Sequence, residues 1–113
     1  MIIARDQVLA ALARHVGRDK GVRIQELVYE ITGETLRSEG AERKVRELVS
    51  DLRESGVAIC AYPGDGYYIA ASAAELELAC AFLRGRAMHS LRLEAQMRRI
   101  SLGELLGQLR LGT

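Results

Sequence analysis

The sequence predicts an α+β fold that is mainly α, in which three short amphipathic helices are closed by a β-hairpin and followed by a long C-terminal helical extension. Three observations carry this. Val45, Leu48, Val49 and Leu52 lie on one helical stripe between Glu42 and Gly56. Strand-forming residues flank the turn signal Pro63-Gly64-Asp65-Gly66. Helix-forming residues then run with little interruption from Ala73 to about Ile100.

The first helix is expected over Asp6 to Val16, with Val8, Leu9, Leu12 and Val16 at i, i+3/i+4 spacing. Gly17 to Gly21 brackets three charges between two glycines and reads as a loop, after which Val22 to Ile24 suits a very short strand. Arg18 and Lys20 there read as solvated charges, with phosphate contact as the alternative. The second helix is expected from about Gln25 to Ile31, with Leu27, Val28 and Ile31 inward and Gly33 as its stop. A polar turn, Glu34 to Gly40, holds one apolar residue, Leu36, expected to anchor it on the core.

The third helix starts near Ala41. Its outward side carries Arg43, Arg46, Glu47, Ser50 and Glu54, with Lys44 and Asp51 on a flank, and Gly56 ends it. Glu39/Arg43, Glu42/Arg46 and Arg43/Glu47 are spaced as surface ion pairs. Val57 to Tyr62 and Tyr67 to Ala70 are the expected strands of the hairpin. Ser72 and Glu75 have capping-box spacing at the start of the long helix. That helix has one stripe at Leu76, Ala79, Cys80, Leu83, Ala87 and Leu91 and a second set, Leu93, Met97 and Ile100, pointing elsewhere. Ser101 and Glu104 repeat the capping-box spacing before Leu102, Leu105, Leu106 and Leu109.

The order helix, short strand, helix, turn, helix, hairpin resembles a winged helix-turn-helix. Leu27-Val28, the run Val45 to Arg53, Gly56 and the Ile59 to Ile69 hairpin are similar to the DNA-binding module of the biotin operon repressor and of bacterial and phage regulators that share it. The resemblance covers about residues 5 to 70, so the expected organisation is a winged helix-turn-helix domain at 1–71 and a helical extension at 72–113. One departure is the turn between helices two and three, about seven or eight residues long instead of three or four. The resemblance implies that the third helix enters the major groove of double-stranded DNA, with Arg43, Arg46, Glu47 and Ser50 facing bases and Lys44 on phosphate. It also implies that the wing residues Gly64, Asp65, Gly66 and Tyr67 lie along the backbone or minor groove. A protein-protein interaction module on the same fold is the alternative, since a solvated polar face also accounts for the charges.

The chain has 113 residues, 49% apolar content and a net charge of +1, unlike the strongly basic domains that hold nucleic acid mainly by counterion release. Residues 1 to 83 hold 10 Lys and Arg against 13 Asp and Glu, whereas residues 84 to 113 hold 6 against 2, so the positive charge sits in the tail. Arg84, Arg86, Arg92, Arg98 and Arg99 either track phosphates or flank a homodimer interface formed by Leu91, Leu93, Met97 and Ile100, the reading preferred because exposed apolar residues on a protruding helix need a partner. Cys60 and Cys80 lack metal-ligand or disulfide spacing and are expected to be buried thiols. His15 and His89 have no acid or cysteine at a meaningful spacing and are expected at the surface or an interface. No catalytic residue, metal, cofactor or small-molecule effector is expected. No signal-peptide core or membrane-length apolar run is visible, so a cytoplasmic protein is the expectation.

Overall fold

A computed structural model describes residues 2–99 and 101–111. The elements follow as α1 (Arg5–Leu12), a 3₁₀ turn (Arg18–Lys20), α2 (Ile24–Thr32), α3 (Glu39–Glu54), β1 (Ile59–Tyr62), β2 (Gly66–Ile69), α4 (Ala73–Arg98) and α5 (Leu102–Leu111). The fold is therefore α+β and mainly α, with a two-stranded antiparallel sheet. The chain forms two compact units, one reaching to Ala79 and one starting at Cys80, so their boundary falls inside α4.

In the first unit α1, α2, α3 and the hairpin share one core of Val8, Leu12, Val22, Leu27, Val28, Val45, Val49, Leu52 and Ile59. The sheet divides its residues by period-two alternation. Ile59 is paired with Ile69 and Ala61 with Tyr67, placing Ile59, Tyr67 and Ile69 on the main core, while the pair Cys60 and Tyr68 faces a second small cluster with Ala79. Burial pushes the Tyr68 hydroxyl pKa up, and that hydroxyl has no hydrogen-bond partner among the described residues.

α1 ends at Leu12, four residues before the expected end, because β2 takes the backbone that follows. His15 C=O accepts the Ile69 N–H at 2.8 Å, and the Gly17 N–H donates to Ile69 C=O at 2.8 Å. Val16, expected on the buried stripe, is thereby turned out and exposed. The expected strand at Val22 to Ile24 contracts to Val22, which exchanges two backbone hydrogen bonds with Tyr67, and Ile24 already begins α2. The loop between His15 and Val22 thus pairs with the free edge of the hairpin.

His15 is half-buried between elements. Its Nδ1 lies 2.8 Å from the Lys20 carbonyl and its Nε2 lies 2.9 Å from the Glu30 carboxylate, which also takes Arg14 at 3.3 Å. Gly33 stops α2 in the left-handed region at φ 74°, as expected. α3 begins at Glu39, two residues earlier than expected, because the Ser38 hydroxyl caps it by accepting the Ala41 N–H. Its end follows the sequence reading, with Gly56 at φ 100°. Leu36 does not anchor the intervening connection; it is 83% exposed.

The hairpin turn has Pro63 followed by Gly64 at φ 84°, the type II signature, with the Asp65 N–H donating to Tyr62 C=O. A Cβ on Gly66 would stand 2.5 Å from the Val22 carbonyl oxygen, so the hairpin can lie this close to the preceding loop only without a side chain there. The box at Ser72 forms partly. Ser72 accepts the Glu75 N–H, but the Glu75 carboxylate turns to the N–H groups of Ala71 and Arg18. These amides hold the Glu75 carboxyl pKa below its ordinary value.

Within the second unit Ala95 and Leu105 are buried, and Ser101 and Glu104 cap α5 reciprocally. The first α4 stripe is not a buried seam: of its residues Ala79 is buried, Leu91 half-buried, and Leu76, Cys80, Leu83 and Ala87 exposed. Cys80 therefore departs from the expected buried thiol, while Cys60 matches it. Among the described residues no helix is long and apolar enough to cross a membrane.

Candidate nucleic-acid interface

α3 buries Val45, Leu48, Val49 and Leu52 and turns Arg43, Lys44, Arg46, Glu47 and Ser50 outward, all five exposed. The helix is set against the core by this seam and pinned at its end, where Arg53 Nε donates to the Ile59 carbonyl at 2.8 Å. Its outer side chains are thus presented by a rigid support.

The ion pairing on this face differs from the sequence expectation. Neither Glu39/Arg43 nor Arg43/Glu47 forms, and Arg43 and Lys44 have no carboxylate within ion-pair distance among the described residues. The Glu42/Arg46 pair does form, at 3.7 Å. Glu42 is not a surface residue: it is 2% exposed and bonded mainly by Arg37, whose Nε and Nη2 donate to its two oxygens at 2.9 and 3.4 Å. The Glu42 carboxylate holds the Arg37 guanidinium pKa above its ordinary value.

Arg37 and Glu42 are the two residues whose part sequence reasoning missed. The signal was present, because Glu42 precedes Val45 and Val49 by three and seven positions and so lies at the edge of the buried stripe. Arg37 gave no periodic signal, since it lies in the connection. Together with Glu39, Arg43 and Arg46 these side chains line an open depression of about 260 Å³ at the start of α3. A second hollow of about 290 Å³ lies between α2 and the connection, with Tyr29 and Leu36 on its walls.

At the hairpin tip Gly64 is exposed, whereas Asp65, Gly66 and Tyr67 are half-buried. Tyr67 packs against the core and its backbone is bonded to Val22. Arg18 is not a solvated loop charge: its guanidinium donates to the Asp65 carboxylate and lies 4.7 Å from the Tyr62 ring centroid. The bond to Asp65 raises the Arg18 pKa.

In the second unit Arg84, Arg86, Arg92, Arg98 and Arg99 are exposed, with Arg98 bonded to Glu94 at 3.2 Å. Of the expected dimerisation set, Leu91 is half-buried, Leu93 and Met97 are exposed, and Ile100 lies outside the described residues. His89 is exposed. No group of three or more His, Cys, Asp or Glu suited to a metal is present among the described residues. No protein-family model, curated protein or solved structure matches the chain.

Proposed function

We propose that this chain is a winged helix-turn-helix protein that binds double-stranded DNA through α3, acting in transcriptional regulation or as a prophage-type replication or regulatory accessory factor in the cytoplasm. The observation that carries the reading is the state of Arg43 and Lys44: two exposed cations without an ion partner among the described residues, near the N-terminal end of a helix held outward by a buried seam. Surface arginines that serve solubility alone are readily matched with helix neighbours at i+4. Here Glu39 and Glu47 stand four residues either side of Arg43 and form no ion pair with it.

In this reading Arg43 and Ser50 face base edges and Lys44 takes phosphate. Arg46 is the weaker candidate, because Glu42 already attracts it. Glu47 would accept from a cytosine amine. The hairpin is the wing, and its tip adds backbone packing more than charge, since Arg18 and Asp65 satisfy each other. The role is binding, without catalysis or cofactor, and a two-fold dimer would present two α3 helices to a palindromic site.

A protein-interaction module is the second reading, favoured by the exposed Tyr29 and Leu36 beside the α2 hollow. Selection from a random duplex pool followed by anisotropy titration at fixed salt separates the two. Arg43→Ala with Lys44→Ala should weaken the selected site at least tenfold, about 1.4 kcal/mol. Unchanged affinity, or no duplex binding at low salt, would sink the DNA reading.

A further inference from the structure

We propose that two copies of this chain pair through an antiparallel contact between their α4 helices, with Ser90 at the two-fold axis. The proposal deepens the dimer named above and does not depend on DNA contact. It starts from one face of α4 in the second unit: Leu83, Arg86, Ser90, Leu93 and Met97, spaced three or four apart, with Glu94 four after Ser90, so that all six share a side of the helix. All are exposed except Glu94, which is half-buried, and Met97 is 85% exposed. α5 belongs to the same unit, yet these apolar side chains are left in solvent.

The charges choose the occupant and its direction. A parallel second copy would set Arg86 against Arg86 and Glu94 against Glu94, like on like. An antiparallel copy with Ser90 at the axis brings residues equally far on either side of position 90 to the same height. Arg86 then stands level with the partner's Glu94, and Glu94 with the partner's Arg86, so the complementary pair is made twice, each Glu94 also holding Arg98 of its own helix at 3.2 Å. The same register sets Leu83 level with the partner's Met97, and Leu93 level with its Ala87, while the small residues Ser90 and Ala87 lie where the helices approach most closely. Each half of the face is thus the complement of the other, the condition for an isologous interface. The stretch from Leu83 to Met97 is roughly 20 Å long, which puts the contact at the small end of stable interfaces and the dimer in the micromolar range.

The test is sedimentation equilibrium of the full chain over about 1 to 100 μM. The wild type should pass from monomer toward dimer across this range; Arg86→Glu or Glu94→Arg should each weaken the dimer about tenfold or more; and the two single variants mixed, or the double variant R86E/E94R alone, should recover it. Recovery by the double variant excludes misfolding as the cause of the single losses. In a Cys80→Ser background, Leu83→Cys should form an intermolecular disulfide with Met97→Cys when the two are mixed, and not with itself. A wild type that stays monomeric overturns the dimer as well as the register. A dimer indifferent to both charge reversals, or Leu83→Cys joining to itself, overturns the antiparallel register alone, and neither result bears on DNA binding.

Discussion

Replacing Glu42 tests what a buried carboxylate does at the start of α3. Its side chain is 3% exposed, while its two partners, Arg37 and Arg46, are 64% and 51% exposed and lose little if left unpaired in water. Glu42→Ala removes one buried methylene, about 0.8 kcal/mol, and the charged hydrogen bonds from Arg37, about 1.5 to 3 kcal/mol. The carboxylate's desolvation cost is recovered at the same time, so the net destabilisation should be about 2 kcal/mol. Glu42→Leu keeps the bulk and removes the charge, and should stay within about 1 kcal/mol of wild type. The chain has no tryptophan, so urea unfolding is followed by far-UV circular dichroism. With a slope near 1.5 kcal/mol/M, the Ala variant's midpoint should fall by roughly 1.3 M at unchanged slope. A leucine variant destabilised as much as the alanine variant would refute the reasoning, because the loss would then come from the carboxylate and its bonds and not from the space it fills.

Two further measurements address the loop and the α4 cap. A Cβ on Gly21 would overlap the Asp65 carbonyl, a backbone atom that cannot turn aside, so Gly21→Ala should cost about 3 kcal/mol or more. Gly40→Ala in the first turn of α3, where a Cβ meets only Ser38 Oγ at 3.9 Å, should be neutral or stabilising by a few tenths of a kcal/mol; thermal melts that rank the two equally would contradict the close approach. The Glu75 carboxyl is held below its ordinary value by the Ala71 and Arg18 amides. Its contribution is therefore complete above the unfolded value of about 4.3 and is lost as pH falls through the lower folded value. The stability gap between wild type and Glu75→Gln should be widest near neutrality and close in acid; a gap that widens below pH 4 would have the wrong sign.

Much of the architecture was legible because it is written in local periodicity and turn chemistry. The α3 stripe, Gly33 and Gly56 as helix stops, and the Pro63-Gly64 turn all act within a few residues of themselves. What was not legible depends on partners distant in the chain. α1 stops at Leu12 because Ile69 claims the backbone around His15 and Gly17, and nothing near Val16 announces that. Leu36 misled for the opposite reason: an apolar residue in a polar turn suggests an anchor, but the Arg37 to Glu42 bond already ties that connection to α3. On the candidate interface, spacing placed Arg43, Arg46 and Ser50 on the outward face and Lys44 on its flank but could not say which cations would be paired. Spacing alone treats Arg43 and Arg46 alike; burial of Glu42 separates them.

The Arg18 to Asp65 contact sets a bound on how strongly salt can matter. A phosphate that takes Arg18 must displace Asp65, and the released carboxylate would then face the same phosphate a few ångströms away. The hairpin tip is in this sense electrostatically closed, because its cation is already spent within the molecule. If DNA is held as proposed, each first unit brings little more than Lys44 to the phosphates and Arg43 to the base edges, so few counterions leave per protomer. The slope of log affinity against log salt should then be shallow, roughly −1 to −2 per protomer. Such a protein gains occupancy by doubling its contacts more than by strengthening any one of them, which makes its own concentration, more than the ionic conditions, the variable that governs when it binds.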